Sequence, residues 1–538
     1  MLKLLVLFGI TLIAIVVFVN GDEDRPLVSI EDGQIRGTFK KSFNGRKYMS
    51  FEGIPYAQPP LQKLRFKEPE PVEPWPGVLD ATMTYTCLQL GQEGVIGQED
   101  CLYLNVYVPR ERINPEEKLD VIVHIHGGAF MLGSPTMLAG PLYFMDRDVV
   151  YVNFNYRLGP FGFFSVSDIV FHGNYGLKDQ VMVLEWVKRN IEKFGGNKDS
   201  VTLIGLSAGA ASVHLHYFSQ MSKGLFHRGF SHSGVALNPW VMKQDPWPNA
   251  KVIISEIGCY NDNIKDNMVP LVPFGPTTET YMPTAFLNAM PYLHLGSKQV
   301  HDIPFLISVT TEEGTLPAAM YYDRIDELNA NWTQLLPFLL EYYQYEDEEK
   351  DRISQEIKEF YFKGEDVTKE NFATFVKICS HRLFHIGAEK VAKLQANATE
   401  APVYFLLMGY GGENLQINIT SPFFNPKLGV GHGADGRFYY DIAMPGLKNL
   451  ENEREIKMKD ILVDMVVSFA KTGKPEVPNV DFQPVAKSGN LKYLSIKAPD
   501  DISMKSTKRL GPHEFWKSLN LREDENVIII KDNLIEIK

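Results

Sequence analysis

Short runs of consecutive apolar, largely β-branched residues recur along this chain without polar alternation. They are Val121-Ile122-Val123-His124-Ile125, Val149-Val150-Tyr151-Val152, Val201-Thr202-Leu203-Ile204, Phe305-Leu306-Ile307-Ser308-Val309 and Val403-Tyr404-Phe405-Leu406-Leu407. A strand with one wet face alternates apolar and polar residues, whereas a strand covered on both faces reads as an unbroken apolar run. These runs therefore predict a mostly parallel sheet sandwiched between helices, an α/β architecture. Between the second and third runs the apolar spacing changes to three and four residues: Leu177, Val181, Leu184, Val187 and Ile191 predict an amphipathic crossover helix within 175–194. A second stripe, Ile461, Leu462, Met465, Val466 and Phe469, predicts another helix that stops at Gly473 and Pro475. The acidic run Glu346-Asp347-Glu348-Glu349 reads as a solvated face. No repeat, low-complexity tract or Pro/Ser-rich linker divides residues 22–538, which predicts a single domain although 538 residues would by length alone suggest several.

The first segment stands apart. Lys3, the apolar stretch from Leu4 to Val19 and the small Gly21 ahead of Asp22-Glu23-Asp24 form the pattern of a secretory signal peptide over residues 1–21. Another run long enough to span a membrane is missing, and the end of the chain carries neither an ER-retrieval tetrapeptide nor a GPI-type hydrophobic tail. The expected location is thus extracellular, without a membrane span after signal cleavage. Sequons at Asn331, Asn397 and Asn418 are compatible with a glycosylating pathway. In an oxidising compartment, Cys87 and Cys101, 14 residues apart around a Gly-rich polar stretch, suit a disulfide. A loop of that size gives about 3 kcal/mol in the chain-entropy model. Cys259 and Cys379 have no obvious local partner, and nothing has metal-ligand spacing, so neither metal nor cofactor is expected. With 54 Lys+Arg against 66 Asp+Glu, a formal net charge of −12 argues against nucleic acid or an anionic membrane as partner. Nothing in the sequence speaks to oligomeric state.

Gly205-Leu206-Ser207-Ala208-Gly209 directly follows the third apolar run and precedes a helix-compatible stretch. That is the context a nucleophile elbow requires, since small flanking residues allow the sharp strand-to-helix turn that exposes the serine hydroxyl. A serine nucleophile needs a base, a group that orients the base, and donors for the developing oxyanion. His126-Gly127-Gly128-Ala129-Phe130 follows the first run, where nearly side-chain-free backbone can aim N–H groups at a carbonyl oxygen; it resembles the His-Gly-Gly loop of lipases and esterases. The fourth run leads into Thr310-Thr311-Glu312-Glu313-Gly314, and His432 in Gly429-Val430-Gly431-His432-Gly433 follows the fifth. The order serine, acid, histidine is that of α/β-hydrolases.

With these motifs together, the chain resembles the type-B carboxylesterases, the cholinesterase-like branch of the α/β-hydrolases, and among them is most similar to secreted insect carboxylesterases and juvenile hormone esterase-like enzymes. The serine signature of that family is matched across Phe194-Gly195-Gly196-Asn197-Lys198-Asp199-Ser200 and on to Gly209, and a second signature by Glu99-Asp100-Cys101-Leu102-Tyr103-Leu104-Asn105-Val106. Phe51-Glu52-Gly53-Ile54-Pro55-Tyr56-Ala57, Asn155-Tyr156-Arg157-Leu158-Gly159 and Phe469-Ala470-Lys471-Thr472-Gly473 also fit. The resemblance implies an α/β-hydrolase fold and hydrolysis of small-molecule carboxylic esters through an acyl-enzyme. It implies Ser207 as nucleophile, His432 as base, and Glu313 rather than Glu312 as the orienting acid, because the family acid directly precedes glycine. It further implies an oxyanion hole from the N–H groups of Gly128, Ala129 and Ala208, supports the Cys87–Cys101 bridge, and suggests scaffold ion pairs Arg65–Glu99 and Arg157–Asp179. Ser233 matches a buried supporting serine, Trp240 an acyl-pocket residue, and His214 and His216 read as packing residues. Leu206 stands where cholinesterases carry Glu, and the Cys87–Cys101 loop has no Trp to stack a choline cation, which argues against cholinesterase specificity. Leu206 also differs from the Gln common in juvenile hormone esterases. The alternative is a non-catalytic, ester-sequestering or neuroligin-like binding protein on the same fold.

Overall fold

The computed structural model describes residues 24–521, apart from 92, 167, 169, 259–269, 280–282, 413–427 and 443–449, together with two short strands at 530–531 and 534–535. The signal segment 1–21, Cys259 and Asn418 lie outside the described residues. At the centre is an 11-stranded sheet. In chain order its strands are β1 (Thr38–Lys41), β2 (Lys47–Pro55), β3 (Tyr103–Val108), β4 (Leu119–Ile125), β5 (Val149–Phe154), β6 (Gly196–Leu206), β7 (Arg228–His232), β8 (Phe305–Thr310), β9 (Val403–Met408), β10 (Leu491–Ala498) and β11 (Asp501–Thr507). They lie side by side as β11-β10-β9-β8-β7-β6-β4-β5-β3-β2-β1. Pairing is parallel from β5 through β4 and β6 to β10, and antiparallel at both flanks.

The unbroken apolar runs account for the centre. Every residue of β5 and of β8 is buried, and the alternation along β4 sends Val121, Val123 and Ile125 into one core and Ile122 into the other. On the first face lies α1 (Tyr175–Asn190), which buries Leu177, Val181, Leu184 and Val187. On the second lies α5 (Glu453–Thr472), which buries Ile461, Leu462, Met465, Val466 and Phe469 and ends where Gly473 turns left-handed at φ 77°. The expected helix over 175–194 is α-helical only to Asn190; its last turn, Ile191–Phe194, tightens to 3-10 geometry before Gly195. β10 and β11 escape a search for continuous apolar runs because their outer residues are exposed, as suits an edge. The acidic run is the first turn of a helix, Asp347–Phe362, where carboxylates complement the N-terminal end of the dipole. Among the described residues no helix is long and apolar enough to cross a membrane.

Strand order also fixes where a site can form. After β4 the chain passes to β5 on one side, and β6 pairs with β4 on the other. The loops leaving the carboxyl ends of β4 and β6 therefore diverge over a topological switch point, the place where open α/β sheets hold ligands.

Candidate active site

Ser207 occupies the turn between β6 and α2 (Ala208–His216) with φ 59° and ψ −120°, a left-handed conformation that non-glycine residues adopt at a cost of about 1–3 kcal/mol. The turn is enforced from below. The Ser207 N–H donates to the His232 carbonyl at 2.8 Å, all nine residues of α2 are buried, and a methyl on Gly209 would stand 2.1 Å from the Ile125 oxygen of β4. Only a glycine lets the helix pass that close to the strand. The side chain of Ser207 is partly exposed, in contrast to the sealed residues on either side.

The glycine-rich loop after β4 lies against this serine: a Cβ built on Gly127 would be 3.1 Å from the Ser207 Cβ. Gly128 has φ 116°, and any side chain there would run into the Leu132 carbonyl. Ala129 and Phe130 are both left-handed, at φ 55° and 58°. The buried Phe130 ring, 5.0 Å from that of Phe163, and the bond from Gly159 N–H to the Phe130 carbonyl at 2.7 Å hold this costly turn. His126 braces the loop rather than reacting. Burial pushes it down to about 4, its Nδ1–H donates to the Gly127 carbonyl at 2.8 Å, and its ring stacks on Tyr156. Among the described residues, the N–H groups of Gly128, Ala129 and Ala208 donate to no backbone carbonyl or side chain. Ala208 opens α2, so its N–H is one of the orphan donors every helix start carries.

Glu313 follows β8 and is fully buried. Its Oε1 accepts the Ser233 hydroxyl at 2.6 Å and the Thr310 N–H at 2.8 Å, and its Oε2 accepts Nδ1–H of His432 at 2.6 Å. Burial alone would raise this carboxyl, but the charge of His432 and the three hydrogen bonds outweigh it and hold the group below its ordinary value. His432 retains 6% of its exposure, and one face of its ring is covered by Phe384 at a centroid distance of 4.7 Å. Phe384 belongs to a π-helical turn, His381–His385, between α3 (Phe372–Ser380) and α4 (Ile386–Ala398). Such turns are frequent at functional sites. From the same turn His385 Nε2–H donates to the Thr310 carbonyl at 2.8 Å, steadying the strand end that supports Glu313.

The remaining sequence-derived residues fall as follows. Cys87 and Cys101 are joined, with S–S 2.00 Å. Arg65 pairs with Glu99 at 2.5 Å, and Arg157 with Asp179 at 2.6 Å in a nearly sealed environment. Trp240 sits behind Phe384, one ring removed from His432, with its indole N–H on the Leu383 carbonyl at 2.9 Å. His214 stacks on Phe305, and His216 bonds Ser222 and Gln180. Asn331 and Asn397 are exposed, while Cys379 is buried and its thiol is pushed up by that burial. Sequence reasoning did not find Phe384, His385 or a second buried pair, His232 Nε2 with Asp435 Oδ1 at 2.8 Å.

Residues 24–516 match the family model for the carboxylesterase family. The chain belongs to that family. It is 36% identical to venom carboxylesterase-6 of Apis mellifera over 94% of this chain and 96% of that protein. It is 39% identical to esterase E4 of Myzus persicae over 86% and 90%, and 34% identical to juvenile hormone esterase of Tribolium castaneum over 92% and 90%. Among solved structures, juvenile hormone esterase from Manduca sexta with OTFP covalently attached superposes with a TM-score of 0.77 at 28% identity, over 93% of this chain and 99% of that one. The fold is that of the α/β-hydrolases, and the protein is a carboxylic ester hydrolase.

Proposed function

We propose that the protein is a secreted serine carboxylesterase in which Ser207, Glu313 and His432 form the catalytic triad and the N–H groups of Gly128, Ala129 and Ala208 form the oxyanion hole. The observation that carries this reading is the 2.6 Å contact between His432 Nδ1 and a sealed Glu313 carboxylate. With the proton fixed on Nδ1, Nε2 is left as the acceptor, the tautomer that a general base must present. His432 takes the Ser207 proton as Oγ attacks the ester carbonyl, and the three free N–H groups receive the negative charge that forms on the carbonyl oxygen. His432 then protonates the departing alcohol, and water repeats the sequence on the acyl-enzyme to release the acid. A depressed Glu313 stays ionised throughout and stabilises the imidazolium.

Export rests on the signal-like residues 1–21 and on the disulfide, which belongs to an oxidising compartment. Asn331, Asn397 and Asn418 are the proposed glycosylation sites. The substrates are small carboxylic esters, and xenobiotic, odorant and hormone-type esters all fall within this class; one relative is named as a juvenile hormone esterase. The test is hydrolysis of p-nitrophenyl acetate by purified Ser207→Ala. A loss of about 10⁴-fold or more in kcat is expected. An unchanged rate would remove Ser207 from the mechanism, and stoichiometric capture of ester without turnover by the parent would favour a sequestering protein instead.

A further inference from the structure

The three residues of the triad stand on three separate loops, after β6, β8 and β9, and a base on a loop is only as well placed as that loop. The His432 loop is fastened at two points, one on each side of the histidine. On the preceding side, Glu312 binds it twice: the Glu312 N–H donates to the Val430 carbonyl at 3.0 Å, and the Glu312 carboxylate accepts the Val430 N–H at 2.8 Å. Glu312 and Gly431 thereby form a one-residue parallel bridge. The Thr311 hydroxyl donates to the same carboxylate oxygen at 2.5 Å and orients it. Gly429 is packed so tightly on this side chain that a Cβ there would lie 2.6 Å from the carboxyl carbon. On the following side, Asp435 takes Nε2–H of His232 at 2.8 Å, and the carbonyl of that same His232 accepts the Ser207 N–H.

We propose that Glu312 and Asp435 are positioning residues that clamp the His432 loop, Glu312 to the strand end bearing the catalytic acid and Asp435 to the strand end beneath the nucleophile. Asp435 is fully buried, and the Glu312 carboxylate is occupied by Thr311 and Val430. Glu312 is adjacent to Glu313 in sequence, yet its carboxylate serves the backbone two residues before the histidine, so two neighbouring glutamates fix one imidazole by different means: Glu313 sets its tautomer and Glu312 sets its place. The inference rests on the triad reading above, because a clamp on His432 matters to rate only if His432 is the base.

The experiment compares kcat and KM for p-nitrophenyl acetate in the full-length protein and its variants. Glu312→Ala leaves Val430 N–H without its acceptor and only the backbone bond to hold the loop on that side, so kcat should fall about 10²-fold with KM within about twofold, the size expected when a reacting group is misplaced by about 1 Å. Glu312→Gln keeps an acceptor oxygen for Val430 and should recover most of the lost rate. Asp435→Ala should reproduce the fall in kcat from the other side of the loop, and it keeps the proposal testable if Glu312→Ala does not fold. Parent-like kcat in Glu312→Ala and Asp435→Ala, or a Glu312→Gln variant as slow as Glu312→Ala, would overturn the clamp. Ser207→Ala separates the two layers: if it remains active the triad reading fails, whereas an inactive Ser207→Ala beside a fully active Glu312→Ala removes the clamp alone.

Discussion

Two histidine–carboxylate pairs lie at the same end of one sheet, and one of them, His432 with Glu313, is the proposed catalytic pair. His432 and Glu313 meet at 2.6 Å, and His232 and Asp435 at 2.8 Å; both carboxylates are fully buried. Glu313 has a second oxygen satisfied by Ser233 and Thr310, and its histidine keeps 6% of its exposure. In the other pair, Asp435 Oδ2 and His232 Nδ1 have no partner among the described residues, and His232 is sealed against Phe230 and Tyr439. A histidine–carboxylate hydrogen bond by itself makes a brace. In the proposed mechanism a pair acts as a base when the acid is fully anchored and the distal nitrogen serves the nucleophile.

The largest effect should come from removing the proposed base. His432→Gln is expected to lower kcat by about 10⁴-fold or more while circular dichroism stays native, and a milder loss would place the base elsewhere. Glu313→Gln, which keeps the shape but no longer fixes the tautomer, should cost about 10³–10⁴-fold in kcat. Gly128→Val tests the receiving side of the reaction. Its side chain would enter the Leu132 carbonyl and turn the N–H away, a loss of about 10²–10³-fold in kcat.

The brace should respond in the opposite sense. His232→Leu leaves the buried Asp435 carboxylate without its hydrogen-bond donor, so urea unfolding should report a loss of about 1–3 kcal/mol. Through the loop clamp its kcat should fall about 10²-fold, as in Asp435→Ala and well short of the loss in His432→Gln. A kcat as low as that of His432→Gln would erase the distinction between the two pairs.

The smallest effect concerns Glu389, a carboxylate that belongs to neither pair. Burial raises Glu389, but hydrogen bonds from His513, Lys393 and the Leu510 N–H prevail and hold it at about 2, below its ordinary 4.5. A depressed carboxyl contributes stability above its unfolded value that is lost as pH falls through the folded one. The gap in unfolding free energy between parent and Glu389→Gln should therefore be full above pH 4.5 and shrink toward pH 2. An equal gap at pH 7 and pH 3 would contradict that assignment.

How much of this was legible in the sequence depends on the range of each interaction. β5 and β8 are readable because continuous burial leaves a continuous apolar run, and the elbow is readable because strand, serine and small residues are adjacent. Glu312 and Glu313 look alike as sequence, and only resemblance to a family chose between them. The Glu312 bond to Val430 spans 118 residues and the His232 bond to Asp435 spans 203, so neither has a local signature. The π-helical turn that delivers Phe384 to His432 is likewise set by what it packs against: the Asn238 amide and the Trp240 indole hold its carbonyls.

The central claim is that Ser207 is the nucleophile and His432 its base. Incubation with p-nitrophenyl diethyl phosphate tests it most directly, since attack by Oγ forms the Ser–O–P bond and expels p-nitrophenolate while the proton passes to His432. Peptide mass spectrometry should then find one diethylphosphoryl group per chain, on the peptide containing Ser207, with labelling abolished in Ser207→Ala and greatly slowed in His432→Gln. A label on another residue, or labelling at the parent rate in either variant, would contradict the account.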